Sequence, residues 1–332
     1  MKRRDFIKIA AMVPVAAAVD PLALAQGPPA GGFPGGFPGR NAGPAVYEPT
    51  GPGIQVRFLG TGGADWRGPA ANGELRRHAS ILADGKVLFD YTASAADMIP
   101  AGLHPEVIFY THSHDDHYDP AAALELGLQR IYVGATWIER AKEDFRKASE
   151  KNGKPVPEIL PVSLGQPIEE RGLTVTALPA NHASNFVEEE TLIYLIEKDS
   201  TRLLYATDTG GLTARAAGYA GIGQFSRSRK FLTGIIMEAT MTLDYQPDFR
   251  MFSHSSVAMV RDTVQVLAQN RRYIPVEGQP VWLTHLAKSY HTSQAELEQA
   301  TPAPLPIPDC QRRFPPGRYR GCRPGGPSHA GR

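Results

Sequence analysis

The chain has 332 residues, enough for one large domain or two small ones around a well-buried core. With 35 Lys and Arg against 34 Asp and Glu its formal charge is +1, so no long-range field directs it to nucleic acid or an anionic membrane. The 42% hydrophobic content is ordinary for a globular protein; both cysteines, Cys310 and Cys322, lie near the C-terminus, which excludes disulfides and thiolate ligands from the body.

In chain order, "MKRRDFIKIAAMVPVAAAVDPLALAQ" starts basic, runs apolar from Ile9 to Val19, and carries Ala23-Leu24-Ala25, a small-x-small cleavage signal. Arg3-Arg4-Asp5-Phe6-Ile7-Lys8 resembles the twin-arginine export signal. Residues 1–25 are therefore expected to be a signal peptide read by the twin-arginine export machinery, and the protein periplasmic or otherwise exported. A short membrane anchor or a buried N-terminal helix is the alternative, but the apolar run is too short to span comfortably. Residues 26–52 contain "GPPAGGFPGGFPGRNAGPA" and read as a Gly/Pro-rich linker.

Residues 53–300 form the expected domain. "IQVRFLG", "KVLFDY", "EVIFYTH", "RIYVGA", "LTVTALPA", "TLIYLIEK", "RLLYATDT", "LTGIIMEAT" and "PVWLTH" are β-branched and aromatic runs bounded by Gly, Pro or charges, and read as strands. Trp137–Glu150 and Ser256–Asn270 have helical spacing, the second with Val257, Val260, Val264 and Leu267 on one face. A hairpin is expected to turn at Lys198–Thr201. Strands and helices mixed in this order imply a layered α/β domain with functional residues at strand ends. The tail, 301–332, is rich in Pro, Gly and Arg without periodicity, and reads either as disordered or as out-of-frame translation.

Such ends carry the chemistry. "YTHSHDDHYDP", Tyr110–Pro120, follows one apolar run and places His112, His114 and His117 beside Asp115 and Asp116. His182 follows "LTVTALPA", Asp208 follows "RLLYAT", and His285 follows "PVWLT". With His254, six of the ten histidines fall in such places. Clustered imidazoles and carboxylates repel unless something binds them, and a divalent metal is the natural binder. His254 has a bland alternative, capping a helix that begins near Ser255. His78, His104, His291 and His329 match nothing and are expected at the surface.

His-x-His-x-Asp-His at 112–117, His182, Asp208 within "ATDTG" and His285 resemble the metallo-β-lactamase-fold hydrolases, over roughly 54–300. "FLGTGGA" at 58–64 is similar to the opening of the tRNase Z and cyclic-phosphodiesterase branch. "MEAT" at 237–240 resembles that branch's His-Glu-Ala-Thr, with Met237 in place of the His. "HSS" at 254–256 resembles its His-Ser-Thr. "THLAKSY" at 284–290 keeps His285 and Tyr290 but has Ser289 where Arg is expected.

The resemblance implies a four-layer αββα sandwich and two divalent metals, with zinc suited best and manganese or iron also suited to nitrogen and oxygen ligands. It implies His112, His114 and His182 on the first metal, Asp116, His117 and His285 on the second, Asp208 bridging, and Asp90 supporting the ligands from behind. A hydroxide between the metals is the implied nucleophile. Asp116, His254 and Glu238 are the implied catalytic residues, with His254, oriented by Glu238, protonating the leaving group. Asp208 stands where cysteine-containing β-lactamases have a thiolate, which disfavours that activity. Only residues 183–207 separate His182 from Asp208, leaving no room for a tRNA-gripping arm, so no nucleic acid partner is expected. A small phosphodiester is the expected substrate; a carboxylic ester, lactone or sulfate ester is the alternative, and a non-catalytic metal- or partner-binding protein of this fold is a second. A homodimer stays open.

Overall fold

The apolar runs pair into two six-stranded sheets in a computed structural model, which describes residues 50–226, 230–274 and 281–291. The first holds β1 (Val56–Gly60), β2 (Ser80–Ala83), β3 (Val87–Phe89), β4 (Val107–Phe109), β5 (Arg130–Gly134) and β6 (Glu158–Val162), side by side in that order. Its first three strands are antiparallel and the rest run parallel from β3. The second holds β7 (Pro167–Glu170), β8 (Leu173–Pro179), β9 (Leu192–Lys198), β10 (Thr201–Ala206), β11 (Gly234–Glu238) and β12 (Trp282–Thr284). The expected hairpin joins β9 to β10, with Thr201 opposite Lys198.

Helices cover the outer faces: α1 (Pro120–Glu125) and α2 (Ile138–Asn152) on the first sheet, α3 (Ala214–Tyr219) and α4 (Val257–Gln269) on the second. Strand alternation decides which side chain goes where. Val87, Phe89, Val107 and Phe109 point inward and meet Tyr194 and Tyr205 of the facing sheet, with Phe89 and Tyr194 ring centres 5.5 Å apart. Leu88 and Ile108 point outward onto Leu124, Ala141 and Phe145. Val257, Val260, Val264 and Leu267 form the buried face of α4 against Leu204, Ile235 and Met237, as their spacing predicted. Each such side chain contributes about 1.5–3 kcal/mol by leaving water. Three apolar seams between four layers make the αββα sandwich.

Three strands were missed in sequence: the four-residue β2, too short to stand out as a run of its own, and β6 and β7. β6 contains Pro161 and β7 begins with Pro167; each is the edge strand of its sheet, where a missing N–H is tolerated. The six-residue α1 is too short to show periodicity, though Asp119 caps it by accepting from Ala122 N, with Pro120 next in the chain. Among the described residues no helix is long and apolar enough to cross a membrane. The signal at 1–25, nearly all of the linker, the last residues of the expected domain and the tail at 301–332 lie outside the described residues.

Candidate metal centre

Within each sheet the strands that lead to the chemistry share a direction, so β3 and β4 end at one edge of their sheet and β8, β10, β11 and β12 at one edge of theirs. The two edges meet. Three residues there turn the chain sharply: Asp90, Asp208 and His285 have φ of 53°, 47° and 51°, the left-handed region that costs a non-glycine residue of order 1–3 kcal/mol. Asp and His tolerate it better than most. Each follows a strand and swings its side chain back over the strand ends. Gly63, from "FLGTGGA", lies beneath His285; a Cβ there would sit 3.1 Å from the ring.

All seven expected ligands converge. His112 Nε2 lies 2.9 Å from His114 Nδ1, which lies 3.3 Å from His182 Nε2. Asp208 Oδ2 is 3.8 Å from both His112 Nε2 and His182 Nε2. Its other oxygen, Oδ1, is 3.1 Å from His117 Nε2 and 3.3 Å from His285 Nε2. Asp116 Oδ2 completes that second group, 3.3 Å from His117 Nε2 and 3.1 Å from His285 Nε2. Within each of the two groups, His112–His114–His182–Asp208 and Asp116–His117–His285, the donor atoms all lie within 4.8 Å of one another. One carboxylate thus faces two donor sets, one oxygen to each.

The contacts behind the rings fix which nitrogen is free. Asp90 is buried and accepts from Thr111 N at 2.8 Å, from Thr111 Oγ1 and from His117 Nδ1 at 2.9 Å. Burial raises its pKa, and these donors oppose the rise. Because Thr111 Oγ1 gives its proton to Asp90, it accepts from His112 Nδ1, 2.9 Å away. Thr240 Oγ1 likewise donates to Glu238 at 2.5 Å and accepts from His285 Nδ1 at 2.9 Å. His182 Nδ1 donates to the Ser253 carbonyl at 2.9 Å. Four Nε2 lone pairs are therefore turned on one space. His117 Nε2 is fully buried there and makes no hydrogen bond.

Charge agrees with this reading. Burial opposes a proton on His117, yet Asp208, Asp116 and Asp90 outweigh it and raise its pKa well above the usual value. His285 is raised in the same way by Asp208 and Asp116. A centre that draws protons onto buried imidazoles fits divalent cations, whose binding would displace those protons. Among the described residues it unites the nitrogen and oxygen donors that such ions take.

Beside this space stands His254. Its Nδ1 is 3.2 Å from both oxygens of the buried Glu238, which also accepts from Thr209 N. The ring lies parallel to that of His285 at 5.4 Å and edge-on to that of His182 at 4.8 Å. One of its nitrogens falls within 4.8 Å of donor atoms of Asp208 and His285. Burial would lower its pKa, but Glu238 outweighs that and pushes it up to about 9. His254 does not cap α4: Ser256 does, accepting from Met259 N.

Some residues escaped sequence reasoning. Thr111 and Thr240 stand inside the quoted motifs, but only geometry shows them fixing the imidazoles. Where Arg was expected at Ser289, Arg250 reaches the Tyr290 hydroxyl from the turn that leads to His254. Of the histidines expected at the surface, His104 is exposed, His78 is half-buried with its Nε2 shut off from solvent, His329 lies outside the described residues, and His291 is the full correction. It is 3% exposed and donates from Nε2 to the Ala239 carbonyl at 2.8 Å. Burial lowers its pKa from 6.5 to about 4, against the pull of that carbonyl. The unfolded chain then binds this proton first as pH falls, so stability tied to His291 is present above pH 6.5 and is lost towards pH 4. That loss is about 3 kcal/mol. His291→Gln keeps a donor but does not titrate, and is expected to remove this share of acid sensitivity in urea unfolding compared at neutral and acid pH. An equal acid loss in both proteins would contradict it.

Comparison with known proteins points the same way as the geometry. Residues 100–272, just over half of the chain, match the model of the beta-lactamase superfamily domain. A UPF0173 metal-dependent hydrolase of Methanopyrus kandleri is 25% identical over 118 residues, 33% of this chain and 47% of that protein. The chain thus spans about half the length of this curated relative. Two solved structures are similar across most of the chain. The metallo-beta-lactamase fold protein YhfI of Bacillus subtilis has a TM-score of 0.51 at 16% identity, covering 76% of this chain and 95% of its own. A diphosphatase of the PhnP family has a TM-score of 0.50 at 18% identity, covering 80% and 92%. At these identities the likeness is one of fold.

Proposed function

The chain belongs to the beta-lactamase superfamily, and from that premise we propose that it is a metal-dependent hydrolase with a dinuclear centre acting on a small phosphodiester. The observation that carries this reading is Asp208, whose two oxygens face two donor sets, with the Glu238–His254 pair alongside. His112, His114 and His182 would hold one cation, and Asp116, His117 and His285 the other, with Asp208 between them. Zinc matches these donors best, and manganese or iron is also served by them. Two such cations supply Lewis acidity toward a phosphoryl oxygen and lower the pKa of water to about 7.

The residues of the chain do the rest. His114, His182 and His254 are the partly exposed members of the centre, so substrate approaches over them. As the P–O bond to the leaving alcohol breaks, His254 gives its proton to the departing oxygen and Glu238 holds the ring in place. The hairpin of β9 and β10 takes up most of 183–207, which keeps the reading to small substrates.

A second reading rests on a separate observation. Five of the ten large exposed apolar side chains among the described residues stand on two short segments beside His182 and His254: Phe186, Val187, Phe249, Met251 and Phe252. An apolar acyl group would find contacts there, which favours a carboxylic ester or lactone; a sulfate ester would use the same cations. Parallel assays with bis-p-nitrophenyl phosphate and p-nitrophenyl acyl esters, with and without chelator, separate these. The first reading expects chelator-sensitive turnover with the diester preferred; ester preference overturns it. Turnover of neither by metal-loaded protein would favour a binding role.

Export is proposed on Arg3–Lys8 and the Ala23–Ala25 site. Substituting Lys for both Arg3 and Arg4 should hold active protein in the cytoplasm, and normal export of that variant would contradict the proposal.

A further inference from the structure

We propose that Glu189 and Arg140 form a clamp that positions His112, His114 and His182 and thereby sets the affinity of the first cation set alone. The proposal rests on the dinuclear reading above and assigns a role to two residues that neither hold a cation nor face substrate chemistry in it.

Ser113 lies between two ligands, and its polar atoms are gripped from one side. Glu189 Oε1 accepts from Ser113 N at 2.7 Å, and Oε2 accepts from Ser113 Oγ at 2.6 Å. Arg140 Nη2 bonds the same Oε2 and also lies 2.9 Å from Ser113 Oγ. The Glu189 side chain has no exposed surface. Burying a carboxylate costs several kcal/mol, which its partner must offset, so a pair that only filled space could be replaced by apolar side chains at little loss. This carboxylate instead spends its contacts on the one residue whose backbone links His112 to His114.

The clamp also reaches the third ligand. Glu189 ends the segment that follows His182, where Thr191 Oγ1 donates to the His182 carbonyl at 2.7 Å and Leu192 N donates to the Thr111 carbonyl at 3.0 Å. Arg140, from the first turn of α2, packs 3.6 Å over the Phe186 ring of that segment and 5.4 Å from the Trp137 ring. The second set is held by other groups: Asp90 behind His117 and Thr240 behind His285. Asp90 also reaches His112 through Thr111, and Asp208 faces both sets. The Glu189–Arg140 clamp, however, touches only the segments that carry His112, His114 and His182, so disturbing the clamp should be felt by the first cation. Partners behind metal ligands typically change affinity by about 10–100-fold.

Titration of metal-free protein with Co²⁺, followed by visible absorption, tests this. Wild type should bind two ions. Glu189→Gln should weaken one of them by about 10–100-fold and leave the other unchanged. The double variant Arg140→Met/Glu189→Leu, which leaves no unpaired buried charge, should do the same, with thermal unfolding of the metal-free form confirming that it is folded. Two single-set backgrounds identify the set. In His285→Ala, where the first set remains, Glu189→Gln should still weaken binding; in His182→Ala, where the second remains, it should not. Equal weakening in both backgrounds would mark a merely structural pair and overturn the clamp, as would unchanged affinity in the folded double variant. A wild type that binds no Co²⁺ would overturn the dinuclear reading and the clamp together, a result distinct from either.

Discussion

His254→Ala is expected to retain both cations yet lose most turnover of phosphodiesters with alkoxide leaving groups. An alkoxide cannot depart from phosphorus at neutral pH without a proton, and a positioned donor contributes about 10²–10⁴-fold. In the proposed mechanism His254 would be that donor; its Nδ1 lies 3.2 Å from each oxygen of the buried Glu238, and its ring lies between those of His182 and His285. Diesters that release p-nitrophenolate hardly need the proton and should suffer much less. The gap between the two substrate types should be on the order of 10²-fold or more. Glu238→Gln should show the same selectivity more weakly, and the double variant should be little worse than His254→Ala, because the pair acts as a unit. Equal losses on both substrates would return His254 to a structural role and strengthen the ester or lactone reading.

Asp208→Ala is expected to impair both cation binding and the turnover of every substrate, whatever its leaving group. It removes one carboxylate oxygen from each donor set and the negative charge that faces His112, His117, His182 and His285. Cation content should fall below two per chain, and turnover should drop on the order of 10³-fold, the several kcal/mol that Lewis-acid stabilisation is worth. The metal-loaded protein should also melt lower, since cation binding is coupled to folding. Asp208→Asn, which keeps the shape but one neutral acceptor oxygen, should fall between. Full loading and full turnover in Asp208→Ala would remove the bridging assignment.

The site was legible because its residues break the local rule. An apolar strand that ends in imidazole or carboxylate is readable from sequence, and His112, His182, Asp208 and His285 each follow one. The long strands were legible as β-branched and aromatic runs bounded by Gly, Pro or charges, and the apolar face of α4 by its helical spacing. Proline concealed β6 and β7, whose edge positions tolerate what a central strand could not. His291 and Glu189 were hidden for a different reason. Nothing local distinguishes His291 from an exposed histidine, and Glu189 stands in a run of three glutamates of which only it is buried. Burial of such groups is decided by what packs over them from elsewhere in the chain, here Ala239 and Arg140 with Ser113.

The central claim is that two cations shared by Asp208 make this chain a hydrolase. Stepwise addition of Zn²⁺ to metal-free protein, with hydrolysis of bis-p-nitrophenyl phosphate followed at each step, tests it most directly. The account predicts negligible turnover without metal, a rise that continues to about two equivalents per chain, and a plateau beyond. Turnover that is complete at one equivalent, or that needs no metal at all, would contradict it.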